Sequence, residues 1–333
     1  MKKRIITGIL LLAIFIPLLI VEKMFPLFQI LMMCLAMIAS YELIKMYEKR
    51  KKFPGISKYV IMGCSLLVYL SATSEWQQLN ENAADMVSYN LLRMLNINIG
   101  FLPMLVLCAL LLFSMLVVYR DFDGTDIGKA LTIIIYAGVG FGGLTCLRAI
   151  GLRFILYMFL ITTLTDVFAY VVGSLIGKHK MCPHISPHKS WEGAIGGTLI
   201  ATIFGTLYAM YYGKLFGSSF GPEAATTLLH DAVFINANFL ARLNGVEKTF
   251  ILFSLTLFTS IVSQLGDLVA SKLKRTYGLK DYGNIFPGHG GVLDRLDSAL
   301  FASMFLLTIF TILFRITGSE FGVSTNIIIL LLQ

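Results

Sequence analysis

Long apolar runs follow one another along most of the chain, and several reach or approach the roughly 20 residues that a helix needs to cross a bilayer. Charged residues make up only 14% of the 333 residues, well below the roughly 25% of an ordinary soluble domain. The ten-residue segments of alternating hydrophobicity that mark a membrane β-barrel do not occur. The sequence therefore predicts an all-α, polytopic membrane protein.

We expect about nine transmembrane helices in this chain. They are the runs 5–21, 25–44, 59–72, 100–118, 130–147, 154–177, 194–212, 250–271 and 298–316. A secretory signal peptide is the alternative for the first run, but no convincing small-residue cleavage site follows it. We divide the chain into an N-terminal membrane region, residues 1–150 with spans one to five, and a C-terminal catalytic membrane region, residues 151–333 with spans six to nine.

The basic residues set the expected orientation. With the amino terminus inside, most of the 27 Lys and Arg residues lie on the cytoplasmic side of the cell membrane, as the positive-inside rule requires. This distribution also accounts for the net charge of +8, so no nucleic-acid partner is expected. Two polar stretches, 178–193 and 272–297, then share the cytoplasmic face.

Two connections invite a metal-site interpretation that their spacing does not support. The connection 178–193 holds histidines and a cysteine, but their spacing fits none of the standard zinc-ligand patterns. It is better interpreted as a basic interfacial loop that meets phosphate. In the connection 119–129, Asp121, Asp123 and Asp126 lack the other ligands of a calcium loop and predict a solvated loop.

The stretch 264–297 concentrates four aspartates and five Lys or Arg residues between two apolar runs. Asp267, Ser271 and Lys274 recur at i, i+4 and i+7 and therefore share one helix face, with Arg275 at its edge. So many ionisable groups at a membrane surface are costly unless they bind something. This face either binds an anionic ligand and a metal, or Asp267 only pairs with Lys274 or Arg275.

A glycine-rich turn follows that helix face. Gly290 and Gly291 allow close backbone approach and amide donors aimed at phosphate oxygens, and His289 either donates to a phosphate or shapes the turn. Asp294 and Asp297 come directly afterwards and share a face if a helix starts there. Paired aspartates beside basic residues supply oxygen ligands for Mg2+ and cationic donors for phosphates.

Asp166 is an acidic residue near the middle of the sixth apolar run. Tyr170, Gly173 and Gly177 recur on the same helix face, which therefore carries small residues suited to close helix packing. Asp166 is thus expected to face protein or a water-filled cavity. It is either part of a site or the buried partner of an intramembrane hydroxyl group or cation.

The run SKLKRTYGLKDYGNIFPGHGGVLDRLD, residues 271–297, resembles the signature of the CTP:phosphatidate cytidylyltransferases, the CDP-diacylglycerol synthases. The resemblance extends upstream to GDL at 266–268, to DVFAYVVGSLIG and to SPHKSWEG, and it covers most of residues 160–300. Two positions depart from the family: Val167 stands where Thr is common, and Ala270 where Glu is common. The departure at Ala270 puts any accessory carboxylate role there in doubt.

The resemblance implies an enzyme that uses Mg2+ to convert CTP and phosphatidate to CDP-diacylglycerol and diphosphate. It implies that Asp267, Lys274, Arg275 and Asp294 are catalytic and that Asp267 and Asp294 hold the Mg2+. A second cation, such as K+, stays open. A homodimer is compatible with the small-residue helix face, and the family resemblance favours it.

The other matching residues are expected to bind or position the two substrates. Asp281 and Asp297 are either direct metal ligands or partners that orient Lys and Arg side chains. The full set is Ser271, Lys280, Asp281, His289, Gly290, Gly291, Arg295 and Asp297 from the signature, with Asp166, Ser186, Lys189 and Glu192 from upstream.

Two other functions compete with this interpretation. One is a different lipid-headgroup enzyme, such as a polyprenol kinase or a CDP-alcohol phosphotransferase, but the DG-x-x-AR pattern of the latter does not occur in the sequence. The other is a transporter, which the number of spans alone favours. The charges cluster at one face and not along a pathway through the bilayer, and no internal repeat is apparent, so a transporter is disfavoured.

Overall fold

Long helices dominate the computed structural model, which describes residue 8 and residues 13–79, 91, 100–216, 244–286 and 290–318. Within these residues the helices are α1 Phe25–Tyr47, α2 Ser57–Leu79, α3 Phe101–Val118, α4 Gly124–Ile150, α5 Leu152–Ile176, α6 Trp191–Phe216, α7 Gly245–Thr276 and α8 Leu293–Gly318. A helical segment over residues 13–20 and a 3-10 turn at Glu22–Met24 precede α1. The predicted all-α class is confirmed.

Seven of these helices are long and apolar enough to cross a membrane, which confirms a polytopic membrane protein. The exception among the described helices is α2, whose sequence is less apolar because it carries buried hydroxyl groups such as those of Ser65 and Ser71. Of the run 5–21, the expected first span, residues 5–7 and 9–12 lie outside the described residues, and residues 13–20 are helical. The expected number of about nine spans is therefore approximate, and seven candidate spans lie within the described residues.

The two polar helix ends extend further than the apolar runs suggest. Helix α7 continues to Thr276, so Lys274 and Arg275 belong to its last turn. Helix α8 already begins at Leu293, so Asp294 lies in its first turn. As a result, Lys274, Arg275 and Asp294 project from helix ends, whereas Lys280 and Asp281 lie in the connection between the two helices.

The connection 119–129 corrects one expectation. Asp123 accepts hydrogen bonds from the amides of Thr125 and Asp126 and caps the start of α4. Asp126 is only 1% exposed and is not part of a solvated loop, because Lys51 and Lys129 bond to its two carboxylate oxygens at 2.6 and 2.7 Å. The bonds to Asp126 and Asp123 raise the pKa of the Lys51 ammonium group. This network ties the connection after α1 to the start of α4.

Glycines allow α4 to lie at the centre of the bundle. It is the most enclosed of the seven candidate spans at 78% buried, whereas α3 is the most exposed at 17%. A Cβ atom at Gly138 would lie 2.7 Å from the carbonyl oxygen of Ser65 on α2, and one at Gly143 would lie 3.0 Å from Ser303 Oγ on α8. Helix α4 thus packs against both the N-terminal helices and α8. The division of the chain into regions 1–150 and 151–333 stays a prediction.

The helices that carry the candidate site pack through small residues. Helix α5 runs along α6, while α7 packs against α6 and α8. A Cβ atom at Gly193 would lie 2.5 Å from the carbonyl oxygen of Ala169, and one at Gly197 would lie 2.6 Å from that of Thr165. The glycines of α6 therefore bring it against Thr165 and Ala169 of α5. Of the face predicted to pack closely, Gly173 adjoins Gly193, whereas Tyr170 is exposed.

A short β-hairpin connects α5 and α6. Strand β1 is Lys180–Cys182 and strand β2 is Ser186–Ser190, and they pair antiparallel with Lys180 opposite Ser190 and Cys182 opposite Ser186. The sequence analysis predicted only an interfacial loop here. The hairpin matters for the site because β2 carries Ser186 and Lys189 on a defined backbone next to α5 and α6.

Candidate active site

Four aspartates from three helices meet where α5, α7 and α8 approach the hairpin. Asp166 comes from α5 and Asp267 from α7, and Asp294 and Asp297 come from the start of α8. The Ser298 hydroxyl lies 3.4 Å from Asp166 Oδ2 and also 3.4 Å from Asp297 Oδ1. Residues far apart in sequence are thereby brought together, as the signature and its upstream matches predicted.

Asp294 is held by three donors. Lys274 Nζ donates to Asp294 Oδ1 at 2.8 Å, while the amides of Tyr282 and Gly291 donate to Oδ2 at 2.8 and 2.9 Å. The Asp294 side chain is only 3% exposed, and that of Lys274 12%. This arrangement explains why position 290 is a glycine. Its φ of +85° favours glycine, and a Cβ atom there would lie 3.0 Å from Asp294 Oδ2.

Asp267 is paired with a lysine from the hairpin. Lys189 Nζ donates to Asp267 Oδ2 at 2.5 Å, and the Ser271 hydroxyl donates to Oδ1 at 3.3 Å. The predicted face of Asp267, Ser271 and Lys274 is therefore present, but Lys274 bonds to Asp294. The alternative in which Asp267 pairs with Lys274 or Arg275 does not describe this structure.

Asp166 and Asp297 form no salt bridge within the described residues. Asp297 Oδ1 accepts a hydrogen bond from the Ser298 amide at 2.8 Å. Inside the site, the four carboxylates thus outnumber the two lysines that bond to them, and the other basic residues lie at the rim. Hard oxygen ligands with uncompensated charge suit Mg2+ in kind, although the described residues contain no preformed group of three or more His, Cys, Asp or Glu side chains that could hold a metal ion.

A polar cavity of about 510 Å³ opens beside Asp166 and Asp267. Tyr170, His188 and Lys189 also line it. An apolar cavity of about 410 Å³ adjoins it, lined mainly by aliphatic side chains of α6 and α7. The two cavities share the residues Met181, Ala194 and Gln264.

Gln264 forms the wall between the two cavities. Its Nε2 atom donates to Thr198 Oγ1 at 2.6 Å and to the carbonyl oxygen of Ala194 at 3.2 Å. Both partners lie on α6, so these bonds tie α7 to α6 at the depth where the polar lining gives way to the apolar one. A molecule with a charged head and an apolar tail matches this pair of cavities.

Several predicted residues lie at the rim of the site. Four are exposed charged residues next to the helix ends, namely Arg275, Lys280, Asp281 and Arg295. The Arg275 guanidinium donates to the carbonyl oxygen of Leu279 at 3.3 Å. Ser186 begins β2, opposite Cys182. His289 lies outside the described residues.

Glu192 and Gly291 are bonded within the protein. Glu192 accepts from the His179 amide at 3.2 Å and lies 2.6 Å from His179 Nδ1, so it closes the base of the hairpin. The Gly291 amide is used by Asp294. In this structure neither group points freely at a ligand, and their predicted contact with substrate stays a prediction.

The structure adds residues that sequence analysis did not select. Glu42 on α1 is 2% exposed and accepts hydrogen bonds from the amides of Val292 and Leu293 at 2.9 and 3.1 Å. One signal in the sequence could have identified Glu42: it is a carboxylate inside the apolar run 25–44, and intramembrane charges are rare and need partners. Nothing in the sequence identified which backbone groups it binds.

Tyr282 is a second residue that sequence analysis did not select. Its hydroxyl donates to the carbonyl oxygen of Ala270 at 3.0 Å, and Lys274 Nζ lies 5.1 Å from the centre of its ring. Burial, reinforced by the charges of Asp297 and Asp294, raises the pKa of the Tyr282 hydroxyl. The neutral Tyr282 side chain therefore fixes the loop between α7 and α8, so that the Tyr282 amide faces Asp294.

The chain belongs to the cytidylyltransferase family, whose family model matches residues 2–313. Among curated proteins it is similar to the phosphatidate cytidylyltransferase of Staphylococcus haemolyticus (strain JCSC1435), with 34% identity over 303 residues that cover 90% of this chain and 95% of the relative. The protein of the same name from Bacillus subtilis (strain 168) is 32% identical over 309 residues, which cover 92% of this chain and 96% of the relative. The family resemblance of the signature is thereby confirmed.

Proposed function

We propose that this protein is a Mg2+-dependent phosphatidate cytidylyltransferase that transfers CMP from CTP to phosphatidate and releases diphosphate. One observation carries the proposal: Asp166, Asp267 and Lys189 line a common cavity, in a chain about one third identical to enzymes of that name along 90% of its length. The phosphate group of phosphatidate is the nucleophile. Its oxygen forms a bond to the α-phosphorus of CTP, and the bond from that phosphorus to the bridging oxygen breaks, so that diphosphate leaves with the electron pair.

The chain's own residues position the phosphates and neutralise their charge. Phosphoryl transfer of this kind asks the protein mainly for positioning and electrostatic stabilisation. Lys189 and Lys274 lie inside the site and bind phosphate oxygens there, while Arg275, Lys280 and Arg295 bind the triphosphate from the rim. No general base is required, because the attacking phosphate oxygen is already anionic.

Asp267 and Asp294 would hold Mg2+ among the clustered carboxylates. The ion would supply positive charge that neutralises phosphate oxygens in addition to the two lysines. Asp166 and Asp297 complete the oxygen-rich surroundings. Whether a second cation, such as K+, binds to the same group of carboxylates stays an open question.

The two adjoining cavities match a substrate with a phosphate head and acyl chains. The phosphate of phosphatidate occupies the polar cavity beside Asp166 and Lys189. An acyl chain lies along the apolar cavity between α6 and α7, where aliphatic side chains replace contact with lipid. CTP enters from the opposite, charged rim.

The orientation and assembly of the protein are part of the same proposal. We infer that the rim and the hairpin lie on the cytoplasmic face of the cell membrane, where CTP is available, and the positive-inside distribution supports this orientation. Assembly as a homodimer stays a proposal without added support, because the small residues of α5 and α6 pack within one chain.

An activity assay with the purified, folded protein tests the proposal. CTP and phosphatidate in mixed micelles with Mg2+ are expected to yield CDP-diacylglycerol and diphosphate in equal amounts. ATP in place of CTP and diacylglycerol in place of phosphatidate are the matched controls. Absence of diphosphate from a preparation whose fold is verified by its thermal unfolding transition would overturn the proposal.

A further inference from the structure

Glu42 links the N-terminal helices to the start of α8. It lies within α1, five residues before the end of that helix, and it is 2% exposed. A carboxylate in such a place is costly unless hydrogen bonds compensate for its lost hydration. Glu42 meets this requirement by accepting the amides of Val292 and Leu293 with its two oxygens, at 2.9 and 3.1 Å.

These two amides are not ordinary backbone donors. Leu293 is the first residue of α8 and Val292 precedes it, and the first amides of a helix lack intrahelical acceptors. They also lie at the positive end of the helix dipole, where a carboxylate is stabilising. Glu42 therefore caps α8 from another helix, about 250 positions away in the chain.

The residue next to this cap is Asp294. Three consecutive amides donate to carboxylates here: that of Gly291 to Asp294, and those of Val292 and Leu293 to Glu42. The backbone segment that orients the Asp294 side chain is thus fixed from both sides. Loss of the Glu42 bonds frees the turn on which the Asp294 position depends.

The fit around Glu42 is close. A Cβ atom at Gly283 would lie 2.6 Å from Glu42 Oε1, and one at Gly291 would meet the same carboxylate still more closely. The loop between α7 and α8 therefore passes the carboxylate at two glycines, Gly283 in its middle and Gly291 near its end. Gly291, predicted as a phosphate-binding glycine, is in this structure a glycine that accommodates Glu42.

The end of α1 also contacts the other wall of the site. The Arg50 guanidinium, just after α1, donates to the carbonyl oxygen of Thr276 at 2.5 Å and lies 4.9 Å from the centre of the Tyr277 ring. The rings of Tyr47 and Tyr277 meet edge to face at 5.1 Å. Helix α1 and its extension thus hold both the end of α7 and the start of α8.

We propose that Glu42 is a positioning residue of the active site: its carboxyl group fixes the first turn of α8 so that Asp294 faces Lys274 and the bound phosphates. Glu42 itself touches neither substrate. The proposal rests on the proposed function, since that function gives Asp294 its role. The position of Glu42 on α1 makes the N-terminal helices a required part of the site.

The first test compares Glu42→Gln with Gln29→Ala, a buried polar residue about 20 Å away along the same helix. Glutamine keeps the size of the side chain but offers one oxygen and one donor to two amides, so one of these loses its acceptor. Hydrogen exchange followed by mass spectrometry is expected to be about tenfold faster in the segment 290–297 of Glu42→Gln. Gln29→Ala is expected to leave that segment unchanged. Equal exchange in wild type and Glu42→Gln would overturn the proposal without reference to any activity.

The second readout is kinetic. Glu42→Gln is expected to lower kcat by about 10- to 100-fold, as loss of a residue that orients a ligand does, with KM for CTP and phosphatidate unchanged. A purely structural residue would lower the thermal unfolding temperature and leave kcat per folded molecule intact, which is the outcome expected for Gln29→Ala. Wild-type kcat in folded Glu42→Gln protein contradicts the proposal. An inactive wild type defeats the proposed function instead, and the exchange comparison still decides the role of Glu42.

A double-mutant cycle tests the contact even if Glu42→Gln does not fold. Gly291→Ala introduces a methyl group against the carboxylate and is expected to reduce activity. Glu42→Asp shortens the side chain and makes room for that methyl group. The double variant is therefore expected to lose less than the product of the two single losses. Strictly multiplicative losses would show that Glu42 and Gly291 act independently and would refute the proposed contact.

Discussion

Lys274 Nζ lies 2.8 Å from Asp294 Oδ1 and joins the last turn of α7 to the first turn of α8. Both side chains are largely buried, so the pair is screened less by solvent than a surface ion pair. The pair connects the two halves of the signature, one rich in cations and one in carboxylates. It also means that Lys274 is held in place before a substrate phosphate arrives, which reduces the entropy lost on binding.

Asp294→Asn is expected to abolish turnover with little effect on folding. Asparagine keeps an oxygen that accepts the amides of Tyr282 and Gly291, but it loses the charge that pairs with Lys274 and that we propose as a ligand of Mg2+. We expect kcat to fall by at least about 100-fold, the scale of losing one electrostatic contact to a reacting centre. Asp121→Asn, an exposed carboxylate between α3 and α4, is the control. Wild-type turnover of Asp294→Asn would remove Asp294 from the site.

Gly290→Ala is expected to impair both stability and activity, whereas Gly278→Ala impairs stability alone. Both glycines have positive φ, +85° and +67°, which costs a side chain about 1–2 kcal/mol. Only at Gly290 would the added Cβ atom meet Asp294, since the space around Gly278 is open. Thermal unfolding and kcat of the two variants separate the backbone cost from the contact. Equal loss of activity in both would mean that the Asp294 contact is unimportant.

The class of fold and one face of the site could be predicted from the sequence. Apolar runs predicted the helices, and the spacing of Asp267, Ser271 and Lys274 placed them on a common face of α7. Helical periodicity contains no information on which neighbouring helix faces that stripe. The structure was needed to show that the partner of Lys274 is Asp294 on α8 and that the partner of Asp267 is Lys189 on the hairpin.

Two features could not be predicted for physical reasons. The strands of the hairpin are three and five residues long, too short for alternation to be recognised, and β2 contains Pro187. The bonds from Val292 and Leu293 to Glu42 join positions about 250 residues apart. Only the packing of α1 beside the start of α8 brings them together.

Lys189→Met is expected to lower kcat/KM by about 10- to 100-fold, since a charge-assisted hydrogen bond contributes roughly 1.5–3 kcal/mol. The change removes the cation that bonds to Asp267 and leaves that carboxylate beside Asp166 without compensation. Lys178→Met, an exposed lysine just before the hairpin, is the matched control. Steady-state kinetics in mixed micelles measure both. Indistinguishable kcat/KM values for the two variants would show that Lys189 does not bind substrate.

Removal of divalent metal is expected to abolish activity reversibly. Among the described residues, two lysines form salt bridges with the four clustered carboxylates, and a bound cation would supply the further positive charge that favours the approach of phosphates. Excess EDTA is expected to stop formation of CDP-diacylglycerol, and added Mg2+ to restore it. Asp267→Asn is expected to raise the Mg2+ concentration needed for half-maximal rate by about 10- to 100-fold. Undiminished activity in EDTA would argue against a metal in the reaction.

Ile261→Trp is expected to discriminate between the two substrates. Ile261 lines the apolar cavity beside Gln264 and is 46% exposed, so an indole ring fills that cavity without overpacking the core. If an acyl chain of phosphatidate lies there, the KM for long-chain phosphatidate rises while the KM for CTP stays constant. Short-chain phosphatidate, which does not reach into the cavity, is expected to be affected less.

Phe258→Trp provides the control for that variant. Phe258 lies on the same helix and is 54% exposed, but it does not line the cavity. It therefore introduces the same indole on α7 without blocking the proposed acyl path, and its KM values are expected to match those of the wild type. If Ile261→Trp also leaves the KM for long-chain phosphatidate unchanged, the acyl chain must lie elsewhere, because a tryptophan in the cavity and a bound chain cannot occupy the same volume.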